Sequence, residues 1–449
     1  IRSVNRVQMG VRLNTESNLL EFDFDIEDFD GDELNRLFQS VREKKKYYRL
    51  KDGTLLNINN EELINISKLI DYLSLDVRHF KDGTVYLPAN RAVFLDNFVQ
   101  ERKMDNISLN DGLKSLVHDI THPTEMGFHV DEELSKVLRD YQKFGYKWLK
   151  TLSQYGFGGI LADDMGLGKT LQVLTFIKEE RKRERHPCLV VAPTSLIYNW
   201  KAEADKFVPD LKVEIIHGTK LERTRLLEGL CDPDIIVTSY GSLKRDIEKY
   251  RKLSFSYIFI DEAQHIKNPT TLNANSVKSL KAKGYFAMTG TPIENSLTEL
   301  WSIFDFVMPG YLMNYNNFVS KFEKPIVHNN DRERLDTLSK FIKPFVLRRL
   351  KNEVLKELPE KIESKVIADM TSEQKKLYLA YLKQAQREVA EEINEKGFER
   401  SKIKILALMM RLRQICCHPA LFVENYKGGS GKLETLLEIV ENSIDSGHR

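Results

Sequence analysis

One stretch, from Gly159 to Thr170, constrains the fold of this chain more than any other; it reads G-I-L-A-D-D-M-G-L-G-K-T. The apolar residues Ile160 to Ala162 lead into a glycine-rich turn, and a helix-forming sequence follows Lys169. Glycines let backbone N–H groups approach an anion closely, and the start of a helix adds partial positive charge. The stretch therefore predicts a strand, a phosphate-binding turn and a helix in succession.

Within this turn, the side chain of Lys169 can reach the outer phosphates of a nucleotide, and the hydroxyl of Thr170 can hold a magnesium ion. The strict template has glycine five residues before Gly168, and Asp163 stands there instead. Taken alone the match is partial, and an ordinary turn remains the alternative. The residues predicted to bind the nucleotide here are Met165, Gly166, Leu167, Gly168, Lys169 and Thr170.

A second stretch, Tyr257 to Gln264, reads Y-I-F-I-D-E-A-Q, an apolar strand pattern that ends in two carboxylates. Asp261 can coordinate magnesium, and Glu262 can orient and deprotonate the water that attacks a γ-phosphate. A solvated strand end is the alternative for an isolated Asp-Glu pair. Together with Lys169 and Thr170, the pair predicts the site of a nucleotide hydrolase that uses Mg²⁺.

Short apolar runs alternate with helical patterns after the glycine-rich turn. Strands are predicted at 188–193, 213–217, 234–240 and 285–289, and helices at 196–207 and 220–229. Continuous apolar strands separated by helices are typical of a parallel sheet covered by helices on both faces. Ligands of such sheets bind at the carboxyl ends of the strands, where the polar motifs of this chain fall.

The flanking regions show different patterns. Residues 1–125 alternate strand and helix signals typical of a small α+β domain, and Leu134 to Leu149 predicts one helix. Helical patterns return at 371–395 and 403–416, and the run Gly428 to Gly431 predicts a flexible hinge. We therefore predict an accessory domain at 1–125, the sheet domain at 126–370, a helical protrusion or linker at 371–427, and the start of a further lobe at 428–449.

Composition excludes some classes of protein. Lys and Arg (68) nearly balance Asp and Glu (66), so a nucleic-acid surface would have to be a local patch. The four cysteines lack zinc-type spacing, and neither a secretory pattern nor a membrane-length apolar run occurs. These features predict reduced thiols and a cytoplasmic location without a membrane partner. A nucleoid-associated location would follow from a nucleic-acid surface. The chain begins at Ile1 without methionine, and we expect it to be a fragment.

Taken in order, the motifs resemble the first motor lobe of the SWI/SNF-type ATPases of helicase superfamily two, which has a RecA-like fold. They are L-R-D-Y-Q, D-D-M-G-L-G-K-T, V-A-P-T-S-L-I-Y-N-W, V-T-S-Y, D-E-A-Q-H-I-K-N and M-T-G-T-P-I-E-N-S-L-T-E-L-W-S. The resemblance runs from about Leu138 to Leu358, where F-V-L-R-R-L-K-N-E-V-L-K-E-L-P is a further family stretch, and continues more weakly to Pro419. The opening region resembles the domain that precedes the motor in bacterial members.

The resemblance implies that Gln142, together with Arg139, contacts adenine, and that further motif residues lie along the backbone of double-stranded DNA. Short side chains and N–H groups at strand ends suit phosphate binding without base readout. Each Ser or Thr among them has an alternative role as a helix cap. The predicted DNA-binding residues are Pro193, Thr194, Ser195, Thr238, Ser239, Tyr240, Thr289, Gly290 and Thr291, the last three of which would couple nucleotide state to the DNA contact.

The sequence departs from the family pattern at two positions, Gln264 and Asp140, the latter of which is often proline in relatives and carries little chemical weight. Gln264 stands where several relatives have histidine, which leaves the two carboxylates intact. The arginine motif of the second motor lobe is not found in this sequence, and such arginines contribute about 10³–10⁵ in rate in related enzymes. We therefore expect ATP binding with feeble hydrolysis by a DNA-dependent translocase or remodeller. The alternatives are a strand-separating or RNA helicase, and a nucleotide-gated module that binds a protein through its opening domain or helical protrusion.

Overall fold

The computed structural model describes residues 2–3, 8–25, 31–50, 52–75, 84–290, 296–354 and 364–447. The chain divides into two compact units, Ile1–Leu358 and Pro359–Arg449. The first unit contains both the region predicted as an accessory domain and the sheet that carries the glycine-rich turn. The division into four domains proposed above stays a prediction.

The main sheet of the first unit has seven parallel strands in the order β10-β11-β9-β12-β13-β8-β14. Its strands are β8 (Gly159–Leu161), β9 (Cys188–Ala192), β10 (Val213–Ile216), β11 (Ile235–Ser239), β12 (Phe255–Ile260), β13 (Ala282–Met288) and β14 (Val346–Leu347). The helices between and around them are α5 (Glu132–Val137), α6 (Asp140–Gln154), α7 (Lys169–Arg181), α8 (Ile197–Phe207), α9 (Lys220–Glu228), α10 (Tyr240–Tyr250), α11 (Leu272–Lys278), α12 (Leu297–Val307), α13 (Tyr315–Phe318), α14 (Lys324–Asn329), α15 (Arg332–Ile342) and α16 (Lys351–Val354). The predicted α/β fold is confirmed.

Burial along the central strands explains why they read as continuous apolar runs. Every residue of β9, β11 and β12 is buried, although successive side chains point to opposite faces of a sheet. Both faces are therefore covered by helices. Because all seven strands run parallel, the turn after β8 and the carboxylates after β12 lie at the same edge, separated by the end of β13.

The N-terminal part of the first unit is a small α+β arrangement, as predicted. It has a four-stranded sheet in the order β6-β3-β2-β7 and a three-stranded sheet in the order β1-β5-β4. Asn60 and Asn110 cap the second and fourth helices by accepting from backbone N–H groups. The elements are β1 (Arg2–Ser3), β2 (Gln8–Asn14), β3 (Leu19–Asp25), α1 (Gly31–Arg42), β4 (Tyr47–Arg49), β5 (Leu55–Asn57), α2 (Glu61–Leu73), β6 (Thr84–Pro88), α3 (Ala92–Glu101), β7 (Ile107–Leu109) and α4 (Asp111–Thr121).

The single helix predicted from Leu134 to Leu149 is wrong, because the chain breaks between α5 and α6. Leu138 has an extended backbone (φ −71°, ψ 130°), and so does Arg139 (φ −71°, ψ 159°). The Arg139 N–H donates to the side-chain oxygen of Gln142 at 2.9 Å, which starts α6. Apolar spacing continues across the break, so periodicity alone does not reveal it.

The second unit consists of α17 (Ser372–Lys396), α18 (Phe398–Cys417) and α19 (Gly431–Asp445). Gly397 joins the first two at φ 76°. The run predicted as a flexible hinge is anchored within this unit: the Ser430 hydroxyl donates to the Cys417 carbonyl at 2.7 Å, and the Gly431 N–H donates to Gln374 Oε1 at 3.2 Å. The hinge interpretation is therefore wrong for the last two residues of the run, which cap and begin a helix.

Two expectations from composition concern the cysteines and the membrane. All four cysteines carry free thiols. Across the described ranges, none of the helices combines the length and apolarity needed to cross a membrane.

Candidate functional site

The glycine-rich turn leaves the buried strand β8 and ends where α7 begins at Lys169. Gly166 and Gly168 adopt positive φ angles (84° and 73°), a backbone conformation that residues with a Cβ atom rarely adopt. Leu167 between them is fully buried and anchors the turn, whereas Met165 is 63% exposed. The turn thus opens toward solvent at a helix N-terminus, as an anion-binding turn requires.

Lys169, the first residue of α7, extends its ammonium group back to the turn. Its Nζ atom donates to the carbonyl oxygens of Asp163 (2.7 Å) and Asp164 (3.4 Å), within the same turn. Burial lowers the pKa of the Lys169 ammonium, and the negative charges of Glu262 and Asp261 oppose that shift. The structure therefore brings the lysine and both predicted carboxylates into one electrostatic environment.

Asp261 follows the last residue of β12 and is 8% exposed. Its Oδ2 atom accepts from the indole N–H of Trp200 at 3.0 Å, and its Oδ1 atom accepts from the Glu262 N–H at 2.9 Å. Burial raises the pKa of Asp261, and the hydrogen bond from Trp200 acts in the opposite direction. The carboxylate is thus held in one orientation. With the hydroxyl of Thr170, near the start of α7, it supplies oxygen ligands of the kind that Mg²⁺ prefers.

Glu262 adopts a left-handed backbone conformation (φ 51°, ψ 61°), which is uncommon for a residue with a side chain. Its Oε2 atom accepts from the Gln264 side-chain N–H at 2.8 Å. The other end of the same amide, Gln264 Oε1, accepts from the Thr289 hydroxyl at 3.2 Å. The amide of Gln264 therefore links the predicted base to the buried residue that follows β13.

Gln142, predicted to contact adenine, is buried against the turn. While its Oε1 atom caps α6, its Nε2 atom donates to the Leu167 carbonyl at 3.1 Å. A Cβ atom on Gly168 would overlap with this amide. Arg139 is exposed at the start of α6. The structure therefore gives Gln142 a role in holding the turn, and the adenine contact of both residues stays a prediction.

The predicted DNA-binding residues fall into two groups. Pro193, Thr194 and Ser195 follow β9 at the edge that carries the site, and the last two are exposed. Gly290 follows β13 and lies against Met165, since a Cβ atom built on it would be 3.4 Å from Met165 Cγ. Thr291 lies outside the described residues. For this group, contact with DNA stays a prediction.

The side chains of the second group turn inward, and contact of these residues with DNA also stays a prediction. The Thr238 hydroxyl donates to the Ile216 carbonyl at 3.0 Å, and Ser239 Oγ caps α10 by accepting from the Ser242 N–H at 3.2 Å. The Tyr240 hydroxyl donates to the Asp261 carbonyl at 2.7 Å. Thr289 is likewise buried. The hydroxyl groups of these residues therefore bond to atoms inside the fold. For Ser239, the alternative role as a helix cap is observed.

An ion pair between Asp163 and Arg349, which the sequence did not reveal, lies beneath the turn. Asp163, which replaces the template glycine, is 0% exposed and accepts from Arg349 Nε at 2.9 Å and from Gln172 Nε2 at 3.2 Å. Arg349 also donates to Gln172 Oε1 at 2.8 Å. A buried aspartate in place of that glycine needs a positively charged partner. The presence of Asp163 at the glycine position of the template was therefore the one signal of this ion pair in the sequence. Arg349 lies 186 residues away, so the sequence did not indicate which arginine pairs with Asp163.

Comparison with known proteins places these features in a family. A model of the SNF2-related domain matches residues 141–421, more than half of the chain. A second model, described as bacterial SNF2 helicase associated, matches residues 1–131.

The chain is also similar to individual proteins. The chain is 38% identical over 343 residues to the putative ATP-dependent helicase/translocase YwqA of Bacillus subtilis, across 74% of this chain and 37% of that protein. It is 36% identical over 318 residues to the TATA-binding protein-associated factor MOT1 of Saccharomyces cerevisiae, across 66% of this chain and 17% of that protein. A solved SWI2/SNF2 ATPase core of Sulfolobus solfataricus in complex with dsDNA is 39% identical, with a TM-score of 0.48 over 71% of this chain and 68% of that chain.

The chain spans 37% or less of the length of these two curated relatives. The family assignment rests on the matched domain models, which together cover the accessory region and the site-bearing sheet. This chain belongs to the SNF2-related family and begins with a region of the bacterial SNF2 helicase-associated type.

Proposed function

We propose that this chain is the accessory domain and first motor lobe of an ATP-driven translocase or remodeller acting on double-stranded DNA. The observation that carries the proposal is that the turn with Lys169 and the carboxylates of Asp261 and Glu262 follow strands of one parallel sheet at the same edge. A lysine in a glycine-rich turn and paired carboxylates on a nearby strand are the two halves of a nucleotide hydrolase site.

For the nucleotide, each residue has a distinct task. The N–H groups of the turn and the ammonium of Lys169 hold the phosphates, and the Thr170 hydroxyl and the Asp261 carboxylate hold Mg²⁺. When bound, the ion withdraws charge from the phosphates. Glu262 orients the attacking water and accepts a proton from it. The side-chain amide of Gln264 fixes one carboxylate oxygen of Glu262. Gln142 keeps the turn in place through the Leu167 carbonyl.

Thr194 and Ser195 would supply the DNA contact. Both are exposed in the loop after β9, the strand next to β12, so they lie at the edge that carries the carboxylates. Hydroxyl and N–H groups at strand ends bind phosphates without reading bases, which suits movement along DNA of any sequence. The link from Glu262 through Gln264 to Thr289 is a route by which events at the nucleotide would reach the loop after β13.

Equilibrium binding to labelled nucleic acids tests the DNA assignment. We expect the chain to bind duplex DNA more tightly than single-stranded DNA or RNA, and affinity to fall as salt rises because phosphate contacts release counterions. Thr194→Ala with Ser195→Ala should weaken duplex binding, whereas the buried Thr238→Val should not. A preference for single strands or RNA would favour a helicase that separates strands. Absence of nucleic-acid binding would favour a nucleotide-gated protein-interaction module.

A further inference from the structure

The segment Val346 to Val354 runs beside the phosphate turn. Its strand β14 pairs in parallel with β8, matching Val346 with Ile160 and Leu347 with Leu161. The pairing continues past the strands: the Ala162 N–H donates to the Leu347 carbonyl at 2.7 Å, and the Asp164 N–H donates to the Arg349 carbonyl at 3.0 Å. The segment is therefore joined to the turn by its backbone.

Two side-chain contacts fix the segment further. Arg349 reaches beneath the turn to the buried carboxylate of Asp163, and it also donates to the Tyr141 carbonyl. On the outer side, the Lys351 N–H donates to Asp164 Oδ2 at 3.0 Å. These contacts hold both flanks of Leu350, so the position of Lys351 relative to the turn is set by residues of the turn itself.

The side chain of Lys351 then extends over the open face of the turn. Its Nζ atom lies 3.4 Å, and its Cε atom 3.5 Å, from the position that a Cβ atom on Gly166 would occupy. Gly166 is exposed and is one of the two glycines with positive φ that shape the anion-binding turn. A second ammonium group thus lies beside the exposed Gly166 of the turn.

We propose that Lys351 is a second phosphate-binding cation of the nucleotide site, contacting the β- or γ-phosphate, and that Arg349 is the positioning residue that holds its segment. This inference rests on the proposed function, because it presumes that the turn binds a nucleotide. The phosphate tail of ATP carries several negative charges, and Lys169 alone balances one of them. Lysine is a common point-charge partner of phosphate, and its flexible stem allows it to close on the ligand.

The test compares the affinities of ATP, ADP and AMP for the wild-type chain and for Lys351→Ala, Lys351→Arg and Arg348→Ala at about 0.1 M salt, where surface charges are partly screened. Arg348 is the matched control because it is exposed on the same segment and its loss changes the net charge equally. We expect Lys351→Ala to weaken ATP binding by about tenfold, the size of a charge-assisted hydrogen bond. Lys351→Arg should restore most of the affinity, and AMP binding should change less than about twofold.

Two results would overturn the inference while leaving the proposed function standing. One is equal ATP affinity for Lys351→Ala and Arg348→Ala, with wild-type binding intact and Lys169→Ala impaired. The other is an equal loss for ATP and AMP, which would mean that the substitution disturbs the turn and removes no contact with the phosphate tail. If the wild-type chain does not bind ATP, the proposed function itself fails and takes the inference with it. Thermal melting of each variant checks that the fold is retained.

Discussion

At the scale of single residues, the site depends on one buried charge. Asp163 stands where a phosphate-loop template has glycine, and its carboxylate is removed from water. Arg349 supplies the opposite charge, and Gln172 supplies a further donor. A buried pair of this kind contributes little net stability, but removal of one partner leaves an uncompensated charge.

Arg349→Ala should therefore lower the free energy of unfolding of the first unit by about 3–5 kcal/mol. Asp163→Asn in the same chain should recover part of this loss, since the remaining buried group is then neutral. Urea denaturation followed by tryptophan fluorescence measures both. Arg348→Ala serves as the control and should change stability by less than about 0.5 kcal/mol. A loss below about 1 kcal/mol for Arg349→Ala would show that water or another cation reaches Asp163.

At the scale of elements, the sequence predicted the bounds of strands and of the helices between them better than it predicted helix breaks and the directions of side chains at strand ends. The buried strands β9, β11 and β12 begin and end within two residues of their predicted bounds, because their apolar runs are complete and polar residues bound them. The break before α6 was missed because it depends on a cap, and Gln142 also bonds to a carbonyl 25 residues away. The inward orientation of the Thr238 side chain was missed because the sequence pattern of a Thr at a strand end is the same whether its hydroxyl faces solvent or the interior.

Helix α6 also shows how packing overrides helix propensity. Gly145 lies in its interior, where alanine would normally stabilise the helix by about 1 kcal/mol. A Cβ atom there would overlap with Gln172 Oε1 and lie 3.0 Å from Arg349 Nη2. The small residue is needed because α6 packs against the groups that hold the turn.

Gly145→Ala should accordingly destabilise the first unit by about 1–3 kcal/mol, the usual cost of overpacking. Gly241→Ala is the matched control: it also lies in a helix, and a Cβ atom there would have no neighbour within 4 Å among the described residues. We expect Gly241→Ala to be neutral or stabilising by up to about 1 kcal/mol. Thermal or urea unfolding measures the change in stability of each variant. Equal changes at both positions would contradict the packing argument.

At the scale of the whole molecule, the accessory region packs firmly on the site-bearing lobe. Phe94 of α3 stacks on Phe341 of α15 with ring centroids 3.7 Å apart, and the buried Arg91 lies 4.6 Å above the ring of Tyr311. Ion pairs surround this contact: Lys321 and Arg334 with Asp71, Lys68 and Arg102 with Glu333, and Lys340 with Glu101. The sequence could not predict this docking, because neither partner surface has a local signature.

Cleavage of the connection between the two parts tests this docking. With a protease site inserted in the segment 122–131, between α4 and α5, we expect the two pieces to co-elute in gel filtration after cutting, because an apolar stack and a buried cation hold them. Phe341→Ala should promote their separation, whereas Glu333→Ala should have little effect, since exposed ion pairs contribute little. Separation of the unmodified pieces would mean that the accessory region is only tethered to the lobe.

Isothermal titration calorimetry with ATP, with and without Mg²⁺, tests whether Lys169 and Asp261 form one nucleotide site. Lys169→Ala removes the lysine of the turn, Asp261→Asn removes the carboxylate, and Lys182→Ala is a control at the other end of α7. We expect one ATP site that Mg²⁺ tightens, a loss of about 1.5–3 kcal/mol in Lys169→Ala, no Mg²⁺ effect in Asp261→Asn, and wild-type behaviour in Lys182→Ala. Equal affinity of the wild type and Lys169→Ala would contradict this expectation.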